Sequence, residues 1–251
     1  MHDFKAPRLF VADDLPGDIA LDTGQANYVR NVMRLGDGAR MRVFNGRDGE
    51  FIAAVRLAGK RSVTLDAHEA VRPQPAPLTL WYAFAPLRQA RLDYMVEKAV
   101  EMGAGRLVPV LTQHGQVRRI NAERMRKNVI EACEQCGVLA VPEIAEPQPF
   151  GAFLASLGER RLIVADEALA GEETDPIAAI KAAAPPFAVL VGPEGGFSDE
   201  ERALFTKRSV RVSLGPRVLR ADTAAVALLA LVEAAHPSVS YHAIAPGHAD
   251  A

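Results

Sequence analysis

The chain has 251 residues, 49% hydrophobic and 24% charged, the composition of a soluble globular protein long enough for one large domain or two smaller ones. Its 29 Lys and Arg against 31 Asp and Glu give a net charge of −2, so bulk electrostatics gives no drive toward nucleic acid, and any such surface needs local segregation of charge. No apolar run is long enough to span a bilayer, and Met1-His-Asp-Phe-Lys-Ala-Pro7 lacks the apolar core of a signal peptide, so a cytoplasmic location with no membrane partner is expected.

In chain order, residues 8–72 read as β-rich. Arg8-Leu-Phe-Val11 is a short strand. Residues 26–35 carry Tyr28, Val29, Val32 and Met33 at helical spacing and stop at Gly36. Strands at 40–44 and 50–56 flank the turn signals Asn45-Gly46 and Asp48-Gly49, which predicts a hairpin. A further strand covers 61–65, and the set predicts a small sandwich or barrel. Pro73, Pro75 and Pro77 then stiffen a linker that neither a central strand nor a helix continues through. This places one domain at residues 1–72 and a second at 78–240.

From Leu78 the rhythm is strand and helix in alternation, which predicts an α/β domain on a mostly parallel sheet. Strands are expected at 78–84, 106–111, 161–165, 187–191 and 210–214, with Pro109 demoting the second toward an edge or an irregular strand. Helices are expected at 88–102, 121–136, 175–183, after Ser198, and at 223–235. Ser198-Asp-Glu-Glu201 has the form of a capping box. The last helix is apolar on nearly every face, so it is expected to be buried or to pack on a partner subunit. The tail from His236 is polar, carries two prolines and is expected to be mobile.

The chemistry-bearing segments are two glycine loops, each after an apolar strand: Gly192-Pro-Glu-Gly-Gly196 and Leu214-Gly-Pro-Arg-Val-Leu-Arg220. Ligands of open α/β sheets bind outside the carboxyl ends of the strands, where such loops lie. The loops lack the Lys and Ser/Thr of a P-loop and the G-x-G-x-x-G of dinucleotide folds. What they offer is backbone N–H and C=O groups that approach a ligand closely, suited to an adenine or a neutral ribose. The alternative is a strand-to-helix turn that needs glycine for geometry alone. Arg217 and Arg220 stand ready to hold a phosphate or orient a base.

A basic cluster runs through Arg118, Arg119, Arg124, Arg126 and Lys127, with Arg88, Arg91 and Lys98 nearby; the first domain adds Arg30, Arg34, Arg40 and Arg42. Such groups match contact with a phosphate backbone, and equally a solvated helix face. Cys133 and Cys136 form C-x-x-C late in a helix rather than where a strand enters one, and no second pair or spaced His completes a metal site, so no metal is expected.

Taken together these residues resemble the RsmE family of methyltransferases, which modify N3 of a uridine in small-subunit ribosomal RNA. The resemblance rests on the Arg8-Leu-Phe start, Lys98-x-x-Glu101-x-Gly103, and Glu134-Gln135. Its specific part is Val191-Gly-Pro-Glu-Gly-Gly-Phe-Ser198 followed by Leu214-Gly-Pro-Arg-Val-Leu-Arg220-Ala-Asp-Thr-Ala224. It implies a PUA-like RNA-binding β-barrel and a C-terminal SPOUT domain with a trefoil knot, which periodicity does not reveal. It also implies S-adenosyl-L-methionine as methyl donor, 16S rRNA or the small ribosomal subunit as substrate, and a homodimer. The loops would hold the cofactor at Leu190, Val191, Gly192, Pro193, Gly196, Leu214, Gly215, Val218, Leu219 and Arg220. Two positions depart from the family pattern: Asp222 stands where Glu is common, and Val138 and Leu139 where an Arg is common.

Methylation at N3 requires loss of the N3 proton and stabilisation of the anion, for which Arg220 or Arg8 is the expected cation and Glu194 the expected proton acceptor. The expected RNA contacts are Arg8, Arg30, Arg34, Arg118, Arg119 and Arg126. Competing readings are a non-catalytic RNA-binding assembly factor, a methyltransferase of another RNA, and an oxidoreductase, the last disfavoured by the missing dinucleotide fingerprint.

Overall fold

The computed structural model describes residues 7–59, 62–172 and 174–237. The expected mobile tail lies, from residue 238, outside the described residues. The chain groups into two compact units, Met1–Ala76 with Cys133–Val141, and Pro77–Ala132 with Pro142–Ala251.

The first unit is built on a sheet in the order β1 (Arg8–Phe10), β3 (Arg40–Phe44), β4 (Glu50–Ala58), β5 (Ser62–Arg72), β2 (Gly17–Ala20). β1 runs parallel to β3 and the other pairs are antiparallel. The β3–β4 hairpin closes through Asn45, whose Oδ1 accepts from the N–H groups of Arg47 and Asp48 at 3.0 and 2.9 Å. Period-2 alternation turns Phe51, Ala53 and Val55 inward onto Met41, Val43, Leu65 and Ala67. The helix read at 26–35 begins earlier, as α1 (Thr23–Asn27) behind an Asp22–Gln25 capping box, and widens into a π-turn over Tyr28–Val32.

A buried charge cluster ties the segment 133–141 to this sheet. Glu50, fully buried at the start of β4, accepts from Arg8 Nε at 2.7 Å, Arg42 Nη1 at 2.8 Å and Arg72 Nε at 2.7 Å. Arg8 also donates to the Glu134 carbonyl at 2.9 Å and Arg72 to that of Gly137 at 3.0 Å. Leu139 is buried here.

The second unit is a parallel sheet in the order β12 (Ser209–Val212), β10 (Arg161–Ala165), β11 (Phe187–Val191), β6 (Trp81–Phe84), β7 (Arg106–Leu111), β8 (Glu143–Ile144), with β9 (Gln148–Pro149) also on β7. Its helices are α2 (Gln89–Glu101), α3 (Ala122–Cys136, whose end belongs to the first unit), α4 (Phe150–Ser156), α5 (Pro176–Lys181), α6 (Asp199–Thr206) and α7 (Ala221–Ala235). β11 is buried at every residue, which is why it reads as an unbroken apolar run. Phe150, Phe197 and Phe205 pack together beside it, Phe205 edge-on to the other two and 5.1 Å from Phe197 between centroids.

Of the two settings expected for β7, edge or irregular strand, the second holds: β7 pairs with β6 on one side and with β8 and β9 on the other. The second ladder covers Arg106 and Leu107, then resumes at Val110, so the proline falls at its break, where no N–H is needed. One face of α7 is enclosed, with Leu228, Leu229 and Val232 buried, while Ala230 and Ala234 are exposed. No helix among the described residues is long and apolar enough to cross a membrane.

Candidate active site

The first glycine loop leaves β11 at Val191 and enters α6 through Ser198. The capping box forms as expected: Ser198 Oγ accepts from Glu201 N–H at 3.2 Å, and Glu201 Oε2 accepts from Ser198 N–H at 3.0 Å. Glu201 is buried, and its other oxygen accepts from Gln113 N–H at 2.8 Å, tying the segment after β7 to this turn. His114 Nδ1 lies 3.2 Å from the carbonyls of both Gly195 and Gly196, to which it donates.

Glycine is required here for close approach. A Cβ on Gly192 would meet the Phe197 ring at 2.9 Å, and one on Gly196, at φ +70°, would meet Glu167 Oε1 at 2.5 Å. In the second loop Gly215 sits at φ +103° with open space where a Cβ would be, so conformation alone selects it. Arg220 N-caps α7 and presents its side chain to solvent.

The two loops and the end of β10 line an open cleft at the carboxyl ends of β10, β11 and β12. Of the residues expected to bind a cofactor, Val191, Gly192, Pro193, Gly196, Leu214, Gly215, Val218 and Leu219 line it, as do Glu194 and Arg217. Leu190 is buried in β11 behind the lining, and Arg220 stands between the lining residues Leu219 and Ala221. Val218 is 77% exposed, an unusual setting for valine. Arg8 does not line the pocket; it is buried in the Glu50 cluster, where its Nε and Nη1 are already engaged.

The sequence reading missed the third wall. Asp166 and Glu167 follow directly on β10, at the same end of the sheet as the glycine loops, and that position was the available signal. Asp166 is buried and accepts from Arg211 Nε at 2.6 Å, from Arg202 Nη1 and from Ala168 N–H at 3.1 Å. Burial alone would raise its carboxyl, but the hydrogen bonds from Arg211 and Arg202 outweigh it and hold the group below the usual carboxylate range. Arg202 Nη2 also donates to Glu167 Oε1 at 2.8 Å. Glu194, on the opposite loop, accepts from Arg91 Nη1 at 2.8 Å.

The basic residues divide into paired and unpaired. Arg124 is engaged by Asp93 at 2.6 Å, Lys127 by Glu123 at 2.8 Å, Lys98 by Glu101 at 2.6 Å, and Arg40 by Glu69. Arg30 donates to the Gly59 carbonyl at 2.9 Å. Arg34, Arg118, Arg119 and Arg126 are exposed with no ion-pair partner among the described residues. Asp222 accepts from Thr223 N–H at 2.9 Å and forms no pair with Arg220 among the described residues. Burial pushes the Cys133 thiol up to about 12, with the Cys136 and Glu134 charges adding, so Cys133 is not a thiolate at neutral pH.

An all-parallel sheet with a backbone-walled pocket at its carboxyl end defines an α/β domain built to hold a small organic ligand. Residues 74–233 match the RNA methyltransferase domain model and residues 21–67 the RNA methyltransferase PUA domain model. The chain belongs to the ribosomal RNA small subunit methyltransferase E family. It is 32% identical over 208 residues to the Rickettsia conorii member, covering 82% of this chain and 85% of that one. To the Synechocystis member it is 29% identical over 249 residues, 91% and 78% of the two chains. Among solved structures, a Legionella pneumophila protein with the cofactor SAM bound superposes with TM-score 0.78 at 28% identity, over 92% of this chain and 98% of that one. The Neisseria gonorrhoeae family member shares the fold, with TM-score 0.76 at 23% identity over 91% and 97% of the chains.

Proposed function

We propose that the chain methylates N3 of a uridine in 16S rRNA of the small ribosomal subunit, with S-adenosyl-L-methionine as donor. The observation that carries this is the pocket itself, where two glycine loops and the end of β10 present backbone and one acidic wall to a ligand. Gly192 and Gly196 fold the loop so closely that side chains there would strike Phe197 and Glu167, which suits a flat ring laid on main chain. Val191, Gly192, Gly196 and residues 214–219 would hold the cofactor, with Leu190 supporting from behind.

The bound donor supplies a methyl group on a sulfonium. The chain must then stabilise the base as its N3 proton leaves. Arg220, fixed at the N-cap of α7 and unpaired among the described residues, offers a cation to the carbonyl oxygens where negative charge develops. Glu194 lines the pocket and is oriented by Arg91, which makes it the proton acceptor in this reading. Arg8 is assigned to holding the 134–137 segment on the first sheet rather than to the chemistry.

Arg34, Arg118, Arg119 and Arg126 are the proposed RNA contacts, Arg30 a weaker one because Gly59 already accepts from it. Arg34 keeps φ +57°, a conformation costing a non-glycine residue roughly 1 kcal/mol. The reading further carries a trefoil knot in the second domain, a homodimer and a cytoplasmic location. Sheet order supports the knot, since β10 lies between β11 and β12 and the chain then leads into α7, packed on α2 and α5. The exposed Ala230 and Ala234 stripe on α7 supports the dimer.

The test is calorimetric titration with S-adenosylmethionine, NADH as control, followed by mapping of methylated uridine on small subunits incubated with the protein. Saturable binding and one new N3-methyluridine are expected. No binding with subunits present would return the assembly-factor reading.

A further inference from the structure

The acidic wall of the pocket has no part in the chemistry above. Asp166, Glu167, Arg202 and Arg211 form a cluster of two carboxylates and two guanidiniums, joined by Arg202, which bridges both acids. The formal charges cancel. Asp166 is enclosed and has donors on both oxygens. Glu167 differs: Arg202 engages Oε1, the side chain is 36% exposed on the pocket, and Oε2 has no donor among the described residues. The same carboxylate lies against Gly196, where a Cβ would approach Oε1 to 2.5 Å, so Glu167 and the first glycine loop are neighbours on the pocket wall.

From this juxtaposition we infer that Glu167 binds the ribose hydroxyls of the cofactor, with Arg202 as the residue that positions it. The inference rests on the methyl-donor reading above and adds a side-chain ligand to a pocket otherwise walled by main chain. The charge balance selects the partner. A cluster with no surplus negative charge is a poor counter-ion for the sulfonium or the ammonium of the donor. A neutral hydroxyl that donates to an ionised oxygen makes a charge-assisted bond without needing net charge. A vicinal diol is the neutral donor that a nucleoside carries beside its base, and a carboxylate is a usual acceptor for it in other α/β nucleotide sites.

The test is calorimetry without catalysis, using S-adenosylhomocysteine and its 2′-deoxy and 3′-deoxy analogues. Wild-type protein, Glu167→Gln and Glu167→Ala are compared, with melting curves as the check on folding; Glu167→Gln keeps an oxygen for Arg202. In wild-type protein at least one deoxy analogue is expected to bind about ten- to a hundredfold more weakly than the ribonucleoside, the range for a hydrogen bond to a charged group. In Glu167→Ala that discrimination disappears: ribo and deoxy ligands bind alike, at the weak level. If Glu167→Ala keeps full discrimination, or weakens all three ligands by one factor, the inference is overturned while the cofactor reading stands. If wild-type protein binds none of the three, the cofactor reading fails and the inference falls with it.

Discussion

At the scale of single residues, Arg220 and Glu50 show two opposite uses of charge. Arg220 is exposed beside the pocket and is free to meet a developing anion. Replacing it with alanine is expected to lower the methylation rate by about 10²–10³, the usual effect of removing such a donor, and to leave the melting temperature unchanged. Wild-type turnover in that variant, measured by methyl transfer to small subunits, would remove Arg220 from the mechanism. Glu50 instead holds three arginines inside the first unit. Burial by itself would raise its carboxyl, but hydrogen bonds from Arg72 and Arg8 hold it below its ordinary 4.5. Because the folded value lies under the unfolded one, the stabilisation is complete above about pH 4.5 and is lost as pH falls through the folded value. Glu50→Gln is expected to cost about 3–5 kcal/mol in urea denaturation at pH 7, since it leaves buried guanidiniums without their counter-charge. It should also flatten the acid limb of the stability curve, and an acid limb identical to wild type would refute the assignment. The sequence displayed Arg8, Arg42 and Glu50, but their meeting spans strands and a distant helix end, so no local pattern announced it. Arg8 was therefore legible as a charged residue and illegible as a buried one.

Among the elements, legibility tracked local chemistry. The strand at 40–44, the capping box at Ser198 and the unbroken apolar run of β11 all follow from residues within one turn or one strand, and all form as read. The short elements β8, β9 and α4 gave little signal because two-residue strands are fixed by the neighbour they pair with. The same reason explains Pro109, whose place in β7 depends on where the partner ladder stops. Both glycine loops of the pocket were visible; the acidic wall was not, because nothing in Asp166-Glu167 alone distinguishes it from a surface turn. Glu201 joins these levels. Its carboxylate caps α6 and accepts from Gln113 after β7, so it anchors the glycine loop at both sides. Glu201→Ala is expected to destabilise the fold by about 1–3 kcal/mol, from a lost cap and the loss of the acceptor for the Ser198 and Gln113 N–H groups. It should also speed amide hydrogen exchange at 192–198 while exchange in β11 follows only the global change. Unchanged exchange in the loop would show that the turn holds its shape without this anchor.

For the molecule as a whole, the balance of charge decides how it meets RNA. A net charge of −2 gives no general attraction to a polyanion, and Arg91, Lys98, Arg124 and Lys127 of the second unit are paired with Glu194, Glu101, Asp93 and Glu123. The paired residues are therefore poor phosphate contacts, whatever the basic look of the segment in sequence. Arg34, Arg118, Arg119 and Arg126 are among the basic residues that are exposed and without ion-pair partners among the described residues. Each phosphate they neutralise releases condensed counter-ions, so affinity should fall with salt by a slope of about 0.7 to 0.9 per contact on logarithmic axes. Removing one such arginine should reduce that slope by about one. We therefore expect Arg118→Ala with Arg119→Ala to lower the slope by roughly two, weaken small-subunit RNA binding at low salt, and leave S-adenosylhomocysteine affinity as in wild type. Arg124→Ala, at a residue already held by Asp93, should move the slope little. Filter binding of a small-subunit RNA fragment across a salt series measures both. An equal loss of slope in the two variants would mean that the ion pairs open on RNA and that the whole basic segment, paired or not, forms the contact surface.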